Sequence, residues 1–168
     1  MRSLVTALAL VVVSSSVVIA QEAVVVPTEA LHEMSCLVGE WETSVSLNGE
    51  KLVGKYSAEW APGKHCLILS SSLSGDVATH ASGVGGWSPD RKQYVEHWFT
   101  SDGVNRTVYY TFGEKKGTWV GTLEAVDKDG KKGSGTAHLE ANDAEFRGGG
   151  VLTLAGEKTE IKYVCRRK

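Results

Sequence analysis

From Gly39 onward the chain repeats one unit, a short segment of alternating apolar and polar residues followed by a turn rich in Gly, Asn, Asp or Pro. In the first unit, Trp41, Thr43 and Val45 alternate with polar residues, and Asn48-Gly49 follows. Alternation with a period of two is typical of strands with one buried face, and Asn-Gly is a strong hairpin signal. This pattern predicts an all-β structure built from consecutive hairpins.

About ten such segments follow one another, at the spacing of roughly 8–12 residues that is typical of sandwiches and barrels. The connections are tight turns, which favour an up-and-down meander over a Greek-key sandwich. Closure of the sheet removes its exposed edges. We therefore predict an antiparallel up-and-down barrel of about ten strands, in which the segment from Thr136 to Glu140 is one of the shorter strands.

A short helix is predicted before the strands, from Pro27 to Val38, with Thr28 as its N-cap and Gly39 as its stop. Apolar residues recur at helical spacing at Leu31, Met34, Leu37 and Val38. A short helix with one apolar face needs a surface to pack on. We expect it to close one end of the barrel.

The first twenty residues have the pattern of a secretory signal peptide. Arg2 precedes an apolar run from Leu4 to Val13, and Val18-Ile19-Ala20 offers a cleavage site. The expected organisation is a signal peptide (1–20), an N-terminal extension (21–27) and a lipocalin-like barrel domain (28–168). The protein would then be secreted or periplasmic, with no transmembrane segment after the signal is removed.

Charge and motifs exclude several functional classes. The 18 Lys and Arg residues and 20 Asp and Glu residues are interspersed, with a formal net charge of −2, so no basic footprint for nucleic acid is expected. No Gly-x-Ser-x-Gly elbow, Walker loop or dinucleotide fingerprint occurs. His65, His80, His97 and His138 fall on separate predicted strands, and His32 lies in the predicted helix. We expect no catalytic residue, metal or cofactor.

Two motifs carry a family resemblance. Gly39-Glu40-Trp41, after a short helix, resembles the lipocalin start motif, whose tryptophan closes one end of the barrel. The stretch from Gly86-Trp87-Ser88-Pro89-Asp90, through Tyr94 and Trp98, to Ser101-Asp102-Gly103 is similar to exported bacterial lipocalin-like (calycin-type) families of unknown function. The resemblance implies a barrel whose fifth strand turns Tyr94 and Trp98 inward.

Periodicity alone leaves the register of that fifth strand open. The two alternative inward faces are Tyr94, Glu96 and Trp98, or Val95, His97 and Phe99. A slip of one residue exchanges the two sets. The family resemblance favours the first set, which would place Glu96 as a polar group in the cavity.

The predicted site is an aromatic cavity for a small hydrophobic or amphipathic molecule. Its expected lining is Trp41, Tyr56, Trp60, Tyr94, Glu96, Trp98, Trp119 and Tyr163. Small residues at Gly54, Ala58, Gly83 and Gly85 would leave space for the ligand. The alternatives are an enzyme that uses His97 or Glu96, and a structural or partner-binding envelope protein with a filled barrel.

The three cysteines should gather at the plugged end, because strand direction alternates in a meander. Cys36 lies in the helix, Cys66 at the start of the third strand and Cys165 at the end of the last. We predict a Cys36–Cys165 disulfide that ties the helix to the closing strand, with Cys66 as a buried thiol. The alternative is three reduced thiols.

Overall fold

The computed structural model describes residues 26–75 and 78–168, where one helix precedes ten strands. The elements are α1 (Thr28–Ser35), β1 (Gly39–Leu47), β2 (Glu50–Trp60), β3 (Cys66–Ser74), β4 (Thr79–Ser88), β5 (Gln93–Thr100), β6 (Asn105–Phe112), β7 (Thr118–Val126), β8 (Lys132–Ala141), β9 (Glu145–Leu154) and β10 (Glu157–Arg167). Each strand pairs antiparallel with its neighbours in the chain, and β1 pairs with β10 to close a barrel. The predicted fold class is confirmed. The predicted signal peptide lies outside the described residues.

The hairpin turns follow from local backbone chemistry. Asn48 and Gly49 both have positive φ, 50° and 92°, as do Ala155 and Gly156, 54° and 88°. Two consecutive residues with positive φ form the turn whose twist matches that of the paired strands, and glycine adopts this conformation without strain. These two turns lie at the same end of the barrel, which we call the open end.

Strand β8 is longer than predicted, running from Lys132 to Ala141 rather than from Thr136 to Glu140. Its first half reads as a loop because Gly133 and Gly135 interrupt the apolar alternation. In the structure these glycines pair with both neighbouring strands. A methyl group at Gly135 would overlap the carbonyl of Val151, so glycine permits the close approach of β8 and β9.

The helix is shorter than predicted, and its N-cap is Pro27 rather than Thr28, with no capping hydrogen bond from a side chain. It ends at Ser35, and Gly39, with φ of 134°, already belongs to β1. Because propensity and capping contribute little to so short a helix, its stability must come from packing.

That packing covers the opposite end of the barrel, which we call the closed end. Met34 and Leu37 are fully buried in the core. The indole of Trp41 donates a hydrogen bond to the Leu37 carbonyl at 2.9 Å. The Glu33 carboxylate accepts from the Trp119 indole at 3.2 Å, which links the helix to β7. The predicted position of the helix is therefore confirmed, and Trp41 has the closing role that the resemblance implied.

Candidate ligand site in the barrel lumen

The inward face of β5 carries Tyr94, Glu96 and Trp98, as the family resemblance implied. His97 is exposed on the outer wall, where its Nδ1 lies 3.0 Å from the Thr107 hydroxyl oxygen. An enzyme that uses His97 inside the cavity is therefore contradicted by the register. Of the two candidate catalytic groups, only Glu96 faces the lumen.

The closed end of the lumen is filled by side chains. Trp41 and Trp119 are each 1% exposed and Tyr94 is 0% exposed. The ring of Trp119 packs edge-on against Tyr94, with centroids 5.1 Å apart, and Trp41 packs in the same way on Phe146 at 4.8 Å. The half-buried Trp60 ends β2 at this same end. These four predicted lining residues thus lie in or beside the packed core rather than in one open cavity.

Glu96 is a carboxyl group buried in the middle of the lumen, with 7% of the residue exposed. The Trp98 indole donates a hydrogen bond to its Oε2 at 2.9 Å. Burial raises the pKa of Glu96 above its ordinary value, because a carboxylate is poorly solvated there. The hydrogen bond from Trp98 and the nearby Tyr94 hydroxyl oppose this rise only in part.

Four tyrosines surround this carboxyl group, at positions 56, 94, 110 and 163. Burial raises the pKa of each phenol, and the charge of Glu96 adds to the rise in all four. They therefore stay neutral and can donate or accept hydrogen bonds. The Tyr94 hydroxyl is enclosed yet has no partner of ordinary hydrogen-bond geometry among the described residues.

Aromatic rings cross the middle of the lumen and form its floor. Tyr56 lies 6.3 Å from Trp98 and 5.1 Å from Phe146, measured between ring centroids, and Phe146 lies 6.3 Å from Tyr163. These contacts join β2 with β5 and β9 across the barrel, and β9 with its neighbour β10. The structure thus brings together four of the predicted lining residues: Tyr56, Glu96, Trp98 and Tyr163.

Above this floor, toward the open end, the inward-facing side chains are unevenly covered: Leu52, Ala125 and Leu152 are buried, whereas others are half-buried. The half-buried members are Leu73, Trp98, Arg106, Leu154, Ile161 and Tyr163. At the closed end Leu67 and Trp119 are fully buried, whereas Trp60, Trp87 and Phe112 at its rim are half-buried. The open half of the lumen therefore presents partly accessible apolar and aromatic side chains between buried ones, with Glu96 beside its floor.

The strand glycines serve a different purpose from the one predicted. A methyl group at Gly85 would overlap the Tyr94 hydroxyl, and one at Gly83 would lie 2.9 Å from the Trp98 ring. Gly85 makes room for the Tyr94 side chain, and Gly83 makes room for the Trp98 ring and for the His97 carbonyl oxygen, which a methyl group would approach to 2.5 Å. The candidate site is therefore confined to the open half.

The lumen residues that were not predicted include Arg106, Tyr110 and Phe146. The alternation of Arg106, Val108, Tyr110 and Phe112 along β6 contains the signal for the first two, since an arginine in phase with apolar residues faces inward. Phe146 follows a turn, so its face could be assigned only from its pairing with Cys165.

All three cysteines are free thiols in the structure, which is the alternative to the predicted Cys36–Cys165 disulfide. Cys36 donates to the Glu33 carbonyl at 2.8 Å, and the sulfur of Cys165 lies 3.1 Å from the Thr43 hydroxyl oxygen. Burial raises the pKa of Cys36 to about 12 and that of Cys165 to about 11. The three cysteines do lie at the closed end, as the meander topology requires.

The outer wall carries a separate apolar groove of about 510 Å³. Its lining includes Val84, Trp87, Val95 and Tyr109. Val84 is 48% exposed and pairs across β3 and β4 with Ile68, which is also exposed.

Across the described ranges no cluster of three His, Cys, Asp or Glu side chains is placed to hold a metal. Nor does any helix there have the length and apolar character of a membrane span.

Comparison with known proteins supports the fold alone. No protein-family model and no curated protein matches the chain. The crystal structure of Rv2717c from M. tuberculosis is similar at a TM-score of 0.65, with 12% identity over 83% of this chain and 97% of that one. EF1p2_mFAP2b bound to DFHBI, at a TM-score of 0.42 and 10% identity, covers 83% of this chain and 99% of its own. The redesigned beta barrel b11L5F_LGL, at 0.40 and 13%, covers 83% and 96%.

Proposed function

We propose that the protein is an exported, lipocalin-like, non-catalytic binding protein for a small hydrophobic or amphipathic molecule held in the open half of the barrel. One observation carries this proposal: Trp98 and Tyr163 face inward beside the buried carboxyl group of Glu96, yet both stay half-buried. Apolar walls with a few placed polar groups are the usual composition of a ligand pocket.

The polar groups in the site suit a ligand with little charge in its buried part. Glu96 holds its proton more tightly than an exposed carboxyl group, and the phenols of Tyr56, Tyr110 and Tyr163 are neutral. Such groups orient a ligand through hydrogen bonds, while the rings of Tyr56 and Trp98 supply contact area.

Tryptophan emission tests the proposal, because Trp98 lies at the floor of the site and the other tryptophans do not. A panel of fatty acids, retinoids and small aromatics should shift or quench emission in a saturable way. Trp98→Phe should abolish most of this response. Trp87→Phe is the matched control, since Trp87 stacks on Phe112 at the closed end, and it should keep the response. No response to any ligand, or a response unchanged in Trp98→Phe, would contradict the proposal.

A second candidate function is acid–base catalysis by Glu96, favoured by its burial beside the open half and its raised pKa. It predicts that a bound ligand is converted and that Glu96→Gln prevents conversion without preventing binding. Mass spectrometry of ligands recovered after incubation with the protein distinguishes the two functions. Unchanged ligand supports a carrier.

A third candidate function is the attachment of a partner protein, favoured by the exposed pair Ile68 and Val84 on the outer wall. It predicts that the lumen is filled and binds no ligand of the panel, and that Val84→Glu abolishes partner capture. The carrier function predicts that Val84→Glu leaves ligand binding as it was.

A further inference from the structure

Arg106 is a cation on the inward face of the barrel. It pairs with Trp98 on β5 and Ala125 on β7, two residues nearer the open end than the level of Glu96 and Val108. Its residue surface is half-buried, and its Nε is fully enclosed. Burial lowers the pKa of its guanidinium group, with the Asp102 charge opposing that change.

The guanidinium group lacks a partner among the described residues. Its enclosed Nε makes no hydrogen bond, and no carboxylate within the described ranges lies in ion-pair distance of it. The nearby Asp102 instead accepts hydrogen bonds from the Thr100 hydroxyl and the Val104 amide. A partly desolvated guanidinium carries five donors and ordinarily occupies them with carboxylate or phosphate oxygens.

We infer that the lumen takes an amphipathic monocarboxylate, whose anionic group binds Arg106 near the open end and whose apolar body reaches the aromatic floor at Trp98 and Tyr163. This inference rests on the proposed function and names its ligand class. Strand geometry places Arg106 about 7 Å from the level of Glu96, two residues farther along the strand pair. A medium-length chain attached to the carboxylate would fill that distance.

The two ionisable groups in the lumen, Arg106 and Glu96, discriminate between the possible head groups of a ligand. Arg106 attracts an anion near the mouth, whereas a cation would have to approach Glu96 past this guanidinium group. An alcohol of the same chain length offers equal apolar contact without the charge. A charge-assisted hydrogen bond strengthens binding by roughly tenfold to a hundredfold, so the acid should bind more tightly than the alcohol by that factor.

Octanoate, 1-octanol and octylamine test this at neutral pH by titration of the tryptophan emission of the purified protein. We expect octanoate to bind at least about tenfold more tightly than 1-octanol, and octylamine least tightly. Arg106→Gln should reduce octanoate to the affinity of 1-octanol and leave 1-octanol unchanged. Asp102→Asn, the matched control at the same mouth, should leave octanoate binding equal or stronger.

Equal affinities of the acid and the alcohol for the unaltered protein would overturn the inference, as would a preference for octylamine. So would an equal loss of octanoate affinity in Arg106→Gln and Asp102→Asn. The comparison of the three probes needs no variant, so it remains decisive if Arg106→Gln does not fold. Binding of 1-octanol without preference for octanoate refutes only the ligand class. Failure of all three probes and of the wider panel refutes the proposed function itself.

Discussion

Gly85→Ala should destabilise the barrel through a single contact inside the closed end. The new methyl group would overlap the Tyr94 hydroxyl and lie 2.8 Å from its Cζ. Tyr94 cannot yield easily, because it is 0% exposed and packs against Trp119 at 5.1 Å. Overpacking of a well-packed core costs about 1–3 kcal/mol. At about 3 °C per kcal/mol for a domain of this size, the melting temperature should fall by about 3–9 °C.

A double-mutant cycle with Tyr94→Phe tests the contact itself. Because the Tyr94 hydroxyl has no hydrogen-bond partner of ordinary geometry among the described residues, Tyr94→Phe alone should change the free energy of unfolding by less than about 1 kcal/mol. In the Gly85→Ala background it should recover about half of the loss, since the overlap with the hydroxyl disappears while the close contact with Cζ remains.

Urea unfolding, followed by circular dichroism, measures these free energies. Gly86→Ala is the matched control, because a methyl group there meets Cys66 Cβ at 3.3 Å on the outer side of the same strand, and its effect should stay within about 0.5 kcal/mol. An equal loss in Gly85→Ala and Gly86→Ala would refute the reasoning, because strand propensity would then explain both. Strict additivity of Gly85→Ala and Tyr94→Phe would refute it as well.

Three further predictions concern other parts of the molecule. The raised pKa of Glu96 means that the folded state binds its proton more tightly than the unfolded state, so this group's contribution to stability falls as pH rises above about 4.5. In urea titrations, Glu96→Gln should therefore gain stability relative to the unaltered protein between pH 4 and pH 7. A stability difference that stays constant over this range would contradict the prediction. With iodoacetamide at pH 8, Cys36 and Cys165 should react slowly in the native protein. As free thiols, both should react rapidly after denaturation without reductant. If only one thiol per chain reacts after denaturation, the Cys36–Cys165 disulfide exists. Glu33→Ala should lower the free energy of unfolding by about 1–3 kcal/mol, because it leaves the Trp119 indole and the Gly117 amide unpaired. Hydrogen exchange should then accelerate in α1. Unchanged exchange would argue against this link between the helix and β7.

The barrel was predictable because its signals are local. Alternation of inward and outward residues, and turns such as Asn48-Gly49, define hairpins without reference to distant parts of the chain. The inward placement of Tyr94, Glu96 and Trp98 was reached through a family resemblance, because both faces of β5 contain aromatic residues and periodicity alone could not separate them.

The division of the lumen into a packed closed end and a candidate site in the open half could not be predicted from the sequence. It depends on contacts across the barrel, such as Tyr56 with Trp98 and Phe146, and on Tyr94 occupying the volume above Gly85. A glycine in a strand indicates close approach, but the sequence does not say whether a ligand or a neighbouring ring approaches. Arg106 was overlooked because a single arginine in a strand is most often a surface residue.

The pairing of β1 with β10 has a consequence for how the polypeptide reaches its native state. The partners Trp41 and Arg167 come from opposite ends of the described chain, so the sheet keeps two free edges until the last strand has docked. Such non-local pairing slows folding, and open edges recruit strands of other molecules in the meantime. A version cut before Glu157 would keep these edges permanently. It should accumulate as aggregates instead of a monomer with a slightly weakened barrel.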